Sequence, residues 1–139
     1  MFFNKKSETA DNLNLLTKIT ALLIHAAKID EEYTGKEREI IKKTLIDLGC
    51  NNNELENLIV EAEKIEEKSN QILEFTKEVK NLDEKDKNKI IKSLWRIIYS
   101  NKDADVYEAN LMRRLSGLLY IDSKTMGDIK EQIKKENYQ

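Results

Sequence analysis

The chain has 139 residues, a length that suits one domain built around one core. Its 24 Lys plus Arg stand against 26 Asp plus Glu, for a formal net charge of -2, so the basic excess of a nucleic-acid binder is missing. It is 40% hydrophobic and 36% charged, with no proline and four glycines, which argues against strand-rich folds and for helices joined by short polar loops.

The start, Met1-Phe2-Phe3-Asn4-Lys5-Lys6, has the wrong order for a secretory signal: apolar residues come first and no apolar run follows the lysines. Phe2 and Phe3 read first as a frayed terminus or a hydrophobic cap on the core, and second as a weak dock on a membrane or a partner. The first helix is expected from about Asp11 to Lys28, with Leu16, Ile19, Leu22, Leu23 and Ala26 on one face. It holds the longest apolar stretch, Ala21 to Ala27, which is broken by His25 and is too short to span a bilayer. A second helix runs from about Gly35 to Leu48, and Gly49 is its expected stop. Asn53 is the expected cap of a third helix reaching about Lys68 along Leu55, Leu58, Ile59 and Ala62.

A fourth helix carries Ile72, Phe75, Thr76 and Val79. A fifth starts near Asp83 and carries Ile90, Ile91, Leu94, Ile97 and Ile98. The most basic tract, Lys85 to Lys92, is interrupted by Asp86, Ile90 and Ile91 and reads as the polar face of that helix. The sixth is expected over about Val106 to Tyr120, and the seventh after Asp122, with Met126, Ile129 and Ile133 inward. No linker separates these pieces. The expectation is an all-α single domain over residues 1–139, with its core at about 13–133.

The halves repeat at an offset of 71 residues, which lays Asp30 on Asn101. Leu23 then falls on Leu94, Ala26 on Ile97, Glu37 on Glu108, Ile41 on Met112 and Leu48 on Leu119. Each half holds a long apolar helix, a short acidic loop and a second helix. Two such hairpins can pack face to face and bury both stripes, in an orthogonal or bundle-like array.

The repeated loop carries the chemistry that stands out. The first copy runs from Ala26 through Asp30, Glu31 and Glu32 to Glu37, the second from Ile97 through Asn101, Asp103 and Asp105 to Glu108. Two readings stand side by side. Thr34 with Glu37, and Asp105 with Glu108, each fit a capping box. Alternatively, Asp30, Glu37, Asp103, Asp105 and Glu108 supply the oxygen ligands that Ca²⁺ or Mg²⁺ requires. An EF-hand is excluded, since Val106 stands where its glycine would be and Met112 where its closing Glu would be.

Enzymatic chemistry finds little support. His25 is the sole histidine and lies in an apolar helical run, where a core-edge role satisfied by hydrogen bonding is expected. Cys50 is the sole cysteine, so no intrachain disulfide can form and nothing marks an oxidising compartment. The sequence has no glycine-rich phosphate loop and no Cys/His metal cluster. Trp95 and Tyr99 read as packing residues.

With Leu94-Trp95-Arg96 before the second motif, Tyr107-Glu108 in it and Arg113-Arg114-Leu115 after it, the sequence resembles the tellurite-resistance protein B-like family. The middle segment, Leu73-Glu74-Phe75-Thr76-Lys77, also looks familial, and the resemblance runs from about Leu13 to Ile133. It implies an all-helical fold of two related hairpins, a link to tellurite or other oxyanion stress, and divalent-metal binding by the acidic motifs. Asp30 and Glu37 match the first motif and Glu108 the second. Asn101 departs from the acidic residue of the pattern, and Glu31 and Lys102 replace its glycines.

Two functions follow as expectations. One is a non-enzymatic, stress-associated module that holds a divalent cation. The other is a helical adaptor for a protein partner, with the acidic motifs serving only as caps. Both place the chain in the cytoplasm, with neither nucleic acid nor stable membrane insertion, and leave monomer and homodimer open.

Overall fold

The computed structural model describes residues 10–28, 34–69, 73–100 and 106–137. Phe2, Phe3, Asp30, Glu31, Ile72, Asn101, Lys102, Asp103 and Asp105, on which the sequence raised expectations, lie outside the described residues. Seven helices follow in order: α1 (Ala10–Lys28), α2 (Gly35–Asp47), α3 (Asn52–Lys68), α4 (Leu73–Val79), α5 (Glu84–Ser100), α6 (Val106–Leu118) and α7 (Ser123–Asn137). There is no strand among the described residues.

Helix α1 forms the middle of the core because it is apolar nearly all round. Ile19, Leu22, Leu23 and Ile24 are fully buried, and Leu16 is nearly so. Its buried Thr17 and Thr20 hydroxyls donate to the carbonyls of Leu13 and Leu16, at 2.7 and 2.8 Å, so neither polar group is left unmatched. Around α1 pack α2, α3, α4 and α5. One cluster of buried side chains gathers residues from all seven helices. Each fully buried Leu or Ile contributes about 1.5–3 kcal/mol through removal from water.

The repeat proves longer than a hairpin. At the same offset, α3 falls on α7, and buried Leu55, Leu58 and Ala62 fall on buried Met126, Ile129 and Ile133. The pairs α1–α3 and α5–α7 are the most extensive helix contacts in the molecule. Each half is therefore a three-helix unit, and α4 joins the two.

Helix ends are set by local chemistry. Helix α2 ends in a Schellman turn, with Cys50 N–H donating to Leu45 O and Gly49 N–H to Ile46 O. Gly49 takes φ 103° there, which glycine adopts at little cost. The cap of α3 is Asn51, not Asn53: its extended backbone lets the Glu54 N–H reach the Asn51 carbonyl at 3.0 Å. The preceding turn closes at Cys50, so the first of three asparagines takes the cap. Asp83 caps α5 by accepting the Asp86 N–H at 2.8 Å, and Asp122 caps α7 by accepting the Thr125 N–H at 2.7 Å. That bond from Thr125 holds the Asp122 carboxyl below its ordinary range. Helix α6 stops at Leu118, short of the expected Tyr120, because Tyr120 adopts φ 58°.

Candidate functional site

The register between helices decides where the two acidic motifs attach. Thr44 of α2 and Ser93 of α5 share a buried hydroxyl–hydroxyl hydrogen bond of 2.7 Å. Three residues further along α2 but four back along α5, Lys89 Nζ donates to the Asp47 carbonyl at 2.9 Å. The two helices are antiparallel, so the start of α2 lies at the same end as the finish of α5. Helix α3 runs back along α2, with Lys42 bound to Glu56 at 2.8 Å and Arg38 reaching Glu63 at 3.5 Å. The last turns of α1 and α3, the first of α2 and the last of α5 thus share one end of the molecule.

Two buried carboxylates stand at that end. Glu37, in the first turn of α2, is 5% exposed. Its Oε1 accepts the Thr34 N–H at 2.9 Å and also the Thr34 hydroxyl. That is one arm of the expected capping box. In the other, the Thr34 hydroxyl lies within reach of the Glu37 N–H without completing a cap hydrogen bond. Glu66, near the end of α3, is 7% exposed. Lys28 Nζ donates to its Oε1 at 2.7 Å and His25 Nδ1–H to its Oε2 at 3.2 Å. A carboxylate only accepts, so this bond assigns the proton to His25 Nδ1. Both oxygens are engaged, which is how a buried charge avoids a heavy desolvation cost.

Glu66 escaped the sequence reading, yet it stands four residues after Ala62 on the apolar stripe of α3. A carboxylate in that place has to be paired. His25 is the core-edge histidine the sequence suggested, with a buried carboxylate as its partner. Cys50 is buried at the far end, just before α3, with Sγ directed to the Asn51 carbonyl at 3.5 Å. The 17 residues of α3 separate it from His25, about 25 Å at 1.5 Å per residue. These two groups do not meet as nucleophile and base.

Of the five residues put forward as metal ligands, Glu37 alone has a described side chain. Glu108 is the third residue of α6, and its side chain lies outside the description. Asp30, Asp103 and Asp105 lie outside the described residues altogether. Among the described residues no three His, Cys, Asp or Glu groups gather as a metal site. A carboxylate at the start of α2 is chemically suited to a hard cation, but its Oε1 is shared with Thr34.

Trp95 and Tyr99 pack as expected. Their rings stack on α5 at 5.8 Å, and Lys130 of α7 lies over the Trp95 ring at 5.5 Å. Among the described residues no helix is long and apolar enough to cross a membrane.

The family described as Tellurite resistance protein TerB matches residues 16–131, most of the chain. No curated protein and no solved structure matches it.

Proposed function

The chain belongs to the Tellurite resistance protein TerB family, and from that premise we propose a non-enzymatic helical module that holds a divalent cation, Ca²⁺ or Mg²⁺, at its acidic end. Its ligands are Asp30, Glu37, Asp103, Asp105 and Glu108, and its role is in the cytoplasmic response to tellurite or related oxyanions. One observation carries this reading: α1 finishes, α2 starts and α5 finishes at one end, so the helix ends on both sides of the first motif and before the second converge. Hard cations are held by several oxygens brought from separate segments, and this convergence supplies the framework for that. Thr34 and a cation share Glu37, and Asn101 stands at an acidic position, so the affinity expected is weak.

The test is a titration of the metal-stripped protein with Ca²⁺, Mg²⁺, Mn²⁺ and Zn²⁺, followed by amide NMR. Saturable shifts confined to Asp30–Glu37 and Asn101–Glu108 are expected, and Asn101→Asp should tighten binding. Spectra unchanged at millimolar ion would sink the cation site.

The hydrogen bonds from Thr34 to Glu37 favour a second reading, an adaptor for a protein partner whose acidic motifs are only caps. In that case stability is independent of metal, and Thr34→Ala costs about 1 kcal/mol. A Thr34→Ala variant that is as stable as the parent but loses ion binding would rule the adaptor out.

A further inference from the structure

The end of the molecule away from the acidic motifs holds a side-chain cluster that the cation reading does not use. Helix α6 closes in the same Schellman turn as α2: Ile121 N–H donates to Ser116 O at 2.8 Å and Tyr120 N–H to Gly117 O at 3.3 Å. At the repeat offset, Tyr120 stands on Gly49. The left-handed position is thus glycine in one half and tyrosine in the other, at φ 58°. A side chain costs about 1–2 kcal/mol in that conformation. Burial does not offset this cost, since Tyr120 is 68% exposed. A strained, exposed aromatic residue that packing does not require points to a use.

Two ammonium groups converge on it. Lys80, after α4, places Nζ 5.6 Å from the ring centroid, and Lys87, on α5, places Nζ at 5.8 Å. Lys87 is the one basic residue among the buried described residues, at 5% exposure. Elsewhere Lys28, Lys42 and Lys124 find carboxylates at 2.7–3.0 Å. Neither Lys80 nor Lys87 has an ion-pair partner among the described residues. A ring face attracts a cation by about 0.5–1 kcal/mol at an exposed site, but two cations drawn to one ring repel each other. Nearby acids do not relieve this. Asp83 spends Oδ1 on the Asp86 N–H. The Asp86 carboxyl is fully buried without a hydrogen-bond partner, and burial, aided by the Asp83 charge, holds it toward the protonated form. Glu84, exposed on the same turn, makes no ion pair with Lys87.

We propose that Lys80, Lys87 and the Tyr120 hydroxyl form a binding site for a phosphate-type dianion, either free phosphate or a phosphomonoester. The two ammonium groups neutralise it and the phenol donates a hydrogen bond.

The test is amide NMR of the full-length labelled protein, titrated with inorganic phosphate at constant ionic strength, then with glycerol 3-phosphate and acetate. Saturable shifts at Lys80, Lys87, Tyr120 and Ile121 are expected, with acetate weaker than phosphate. Tighter binding of the ester identifies an anion carried on an organic group, and tighter binding of phosphate identifies the free ion. Lys87→Met keeps the unbranched stem and should weaken binding about tenfold, the loss of one charge-assisted contact. If that variant does not fold, Lys80→Met on the half-buried lysine should do the same. Shifts that do not saturate, that spread over all surface lysines, that acetate reproduces equally or that survive in the lysine variants would overturn the site. So would undiminished binding by Tyr120→Gly.

Discussion

The two three-helix units tie their first and third helices together at the same place by different means. In the first, His25 and Lys28 hold the buried Glu66. In the second, Arg96 stands where His25 does and holds Glu136, with Nε and Nη2 donating at 3.1 Å each. That fork is bidentate but open to water, since the Glu136 side chain is 44% exposed. The residues of the α2–α5 contact differ from those at their offset in chemistry and not in burial. Thr44 and Ser93 share a hydroxyl bond, and the offset lays them on Leu115 and Leu22, both fully buried and apolar. What the halves share is the placement of contacts. What separates the Glu66 pair from the Glu136 pair is how much water the carboxylate sees, and that sets the energy of each.

This contrast gives the largest expected effect. Glu66→Ala should cost about 2–3 kcal/mol, because two charge-assisted hydrogen bonds to a buried carboxylate are lost. Glu136→Ala should cost no more than about 0.5 kcal/mol, the usual worth of a solvated pair. Urea unfolding of both variants measures the gap, and equal losses would show that burial does not distinguish the two halves. Acid adds a check on the second pair. The fork from Arg96 holds the Glu136 carboxyl below its ordinary range. Its contribution is therefore present above that range and lost as pH falls through the lowered value.

Much of this was legible in the sequence, and the reasons are physical. Every helix was found, because the apolar period of α1, α3 and α5 is strong and capping residues stand at the starts of α3 and α5. The offset of 71 residues exposed the repeat, but only as hairpins. The match of Leu55, Leu58 and Ala62 to Met126, Ile129 and Ile133 was there to be read too. Glu66 hid because a carboxylate on an apolar stripe breaks the pattern that marks the stripe. Tyr120 hid because a left-handed stop is recognised by its glycine, and this one has none. The acidic motifs were visible as residue types. Which groups converge depends on helix register, and that is fixed by tertiary bonds such as Thr44–Ser93 and Lys89–Asp47.

A smaller effect of opposite sign is expected at Asp86. This residue holds the third helical position of α5, where a carboxylate would reach back to its cap, but it turns inward instead. Burial raises its pKa, with the charge of Asp83 adding to the effect. A group with a raised folded-state pKa contributes fully below the ordinary carboxylate range and loses that contribution as pH rises through the raised value. Asp86→Asn removes the ionisation, so it should gain about 1–2 kcal/mol at neutral pH and flatten the pH dependence above the carboxylate range. A variant less stable than the parent at neutral pH would mean that the carboxylate has a partner in solution.

The sharpest comparison is also the smallest in energy. Gly49 and Tyr120 occupy the same turn in the two halves, at φ 103° and 58°. Gly49→Ala places a side chain in a region L residues avoid and should cost about 1 kcal/mol or somewhat more. Tyr120→Gly relieves the strain but adds freedom to the unfolded chain and gives up the ring contact with two lysines. The net gain should be about 0.5 kcal/mol. If the tyrosine is there for a ligand, the two substitutions separate stability from binding. Gly49→Ala lowers the melting temperature and leaves phosphate binding intact, whereas Tyr120→Gly raises the melting temperature and abolishes binding. A Tyr120→Gly variant that is less stable than the parent would place the tyrosine in the packing of α4, α5 and α6. The left-handed tyrosine would then be held by its lysines for structure alone.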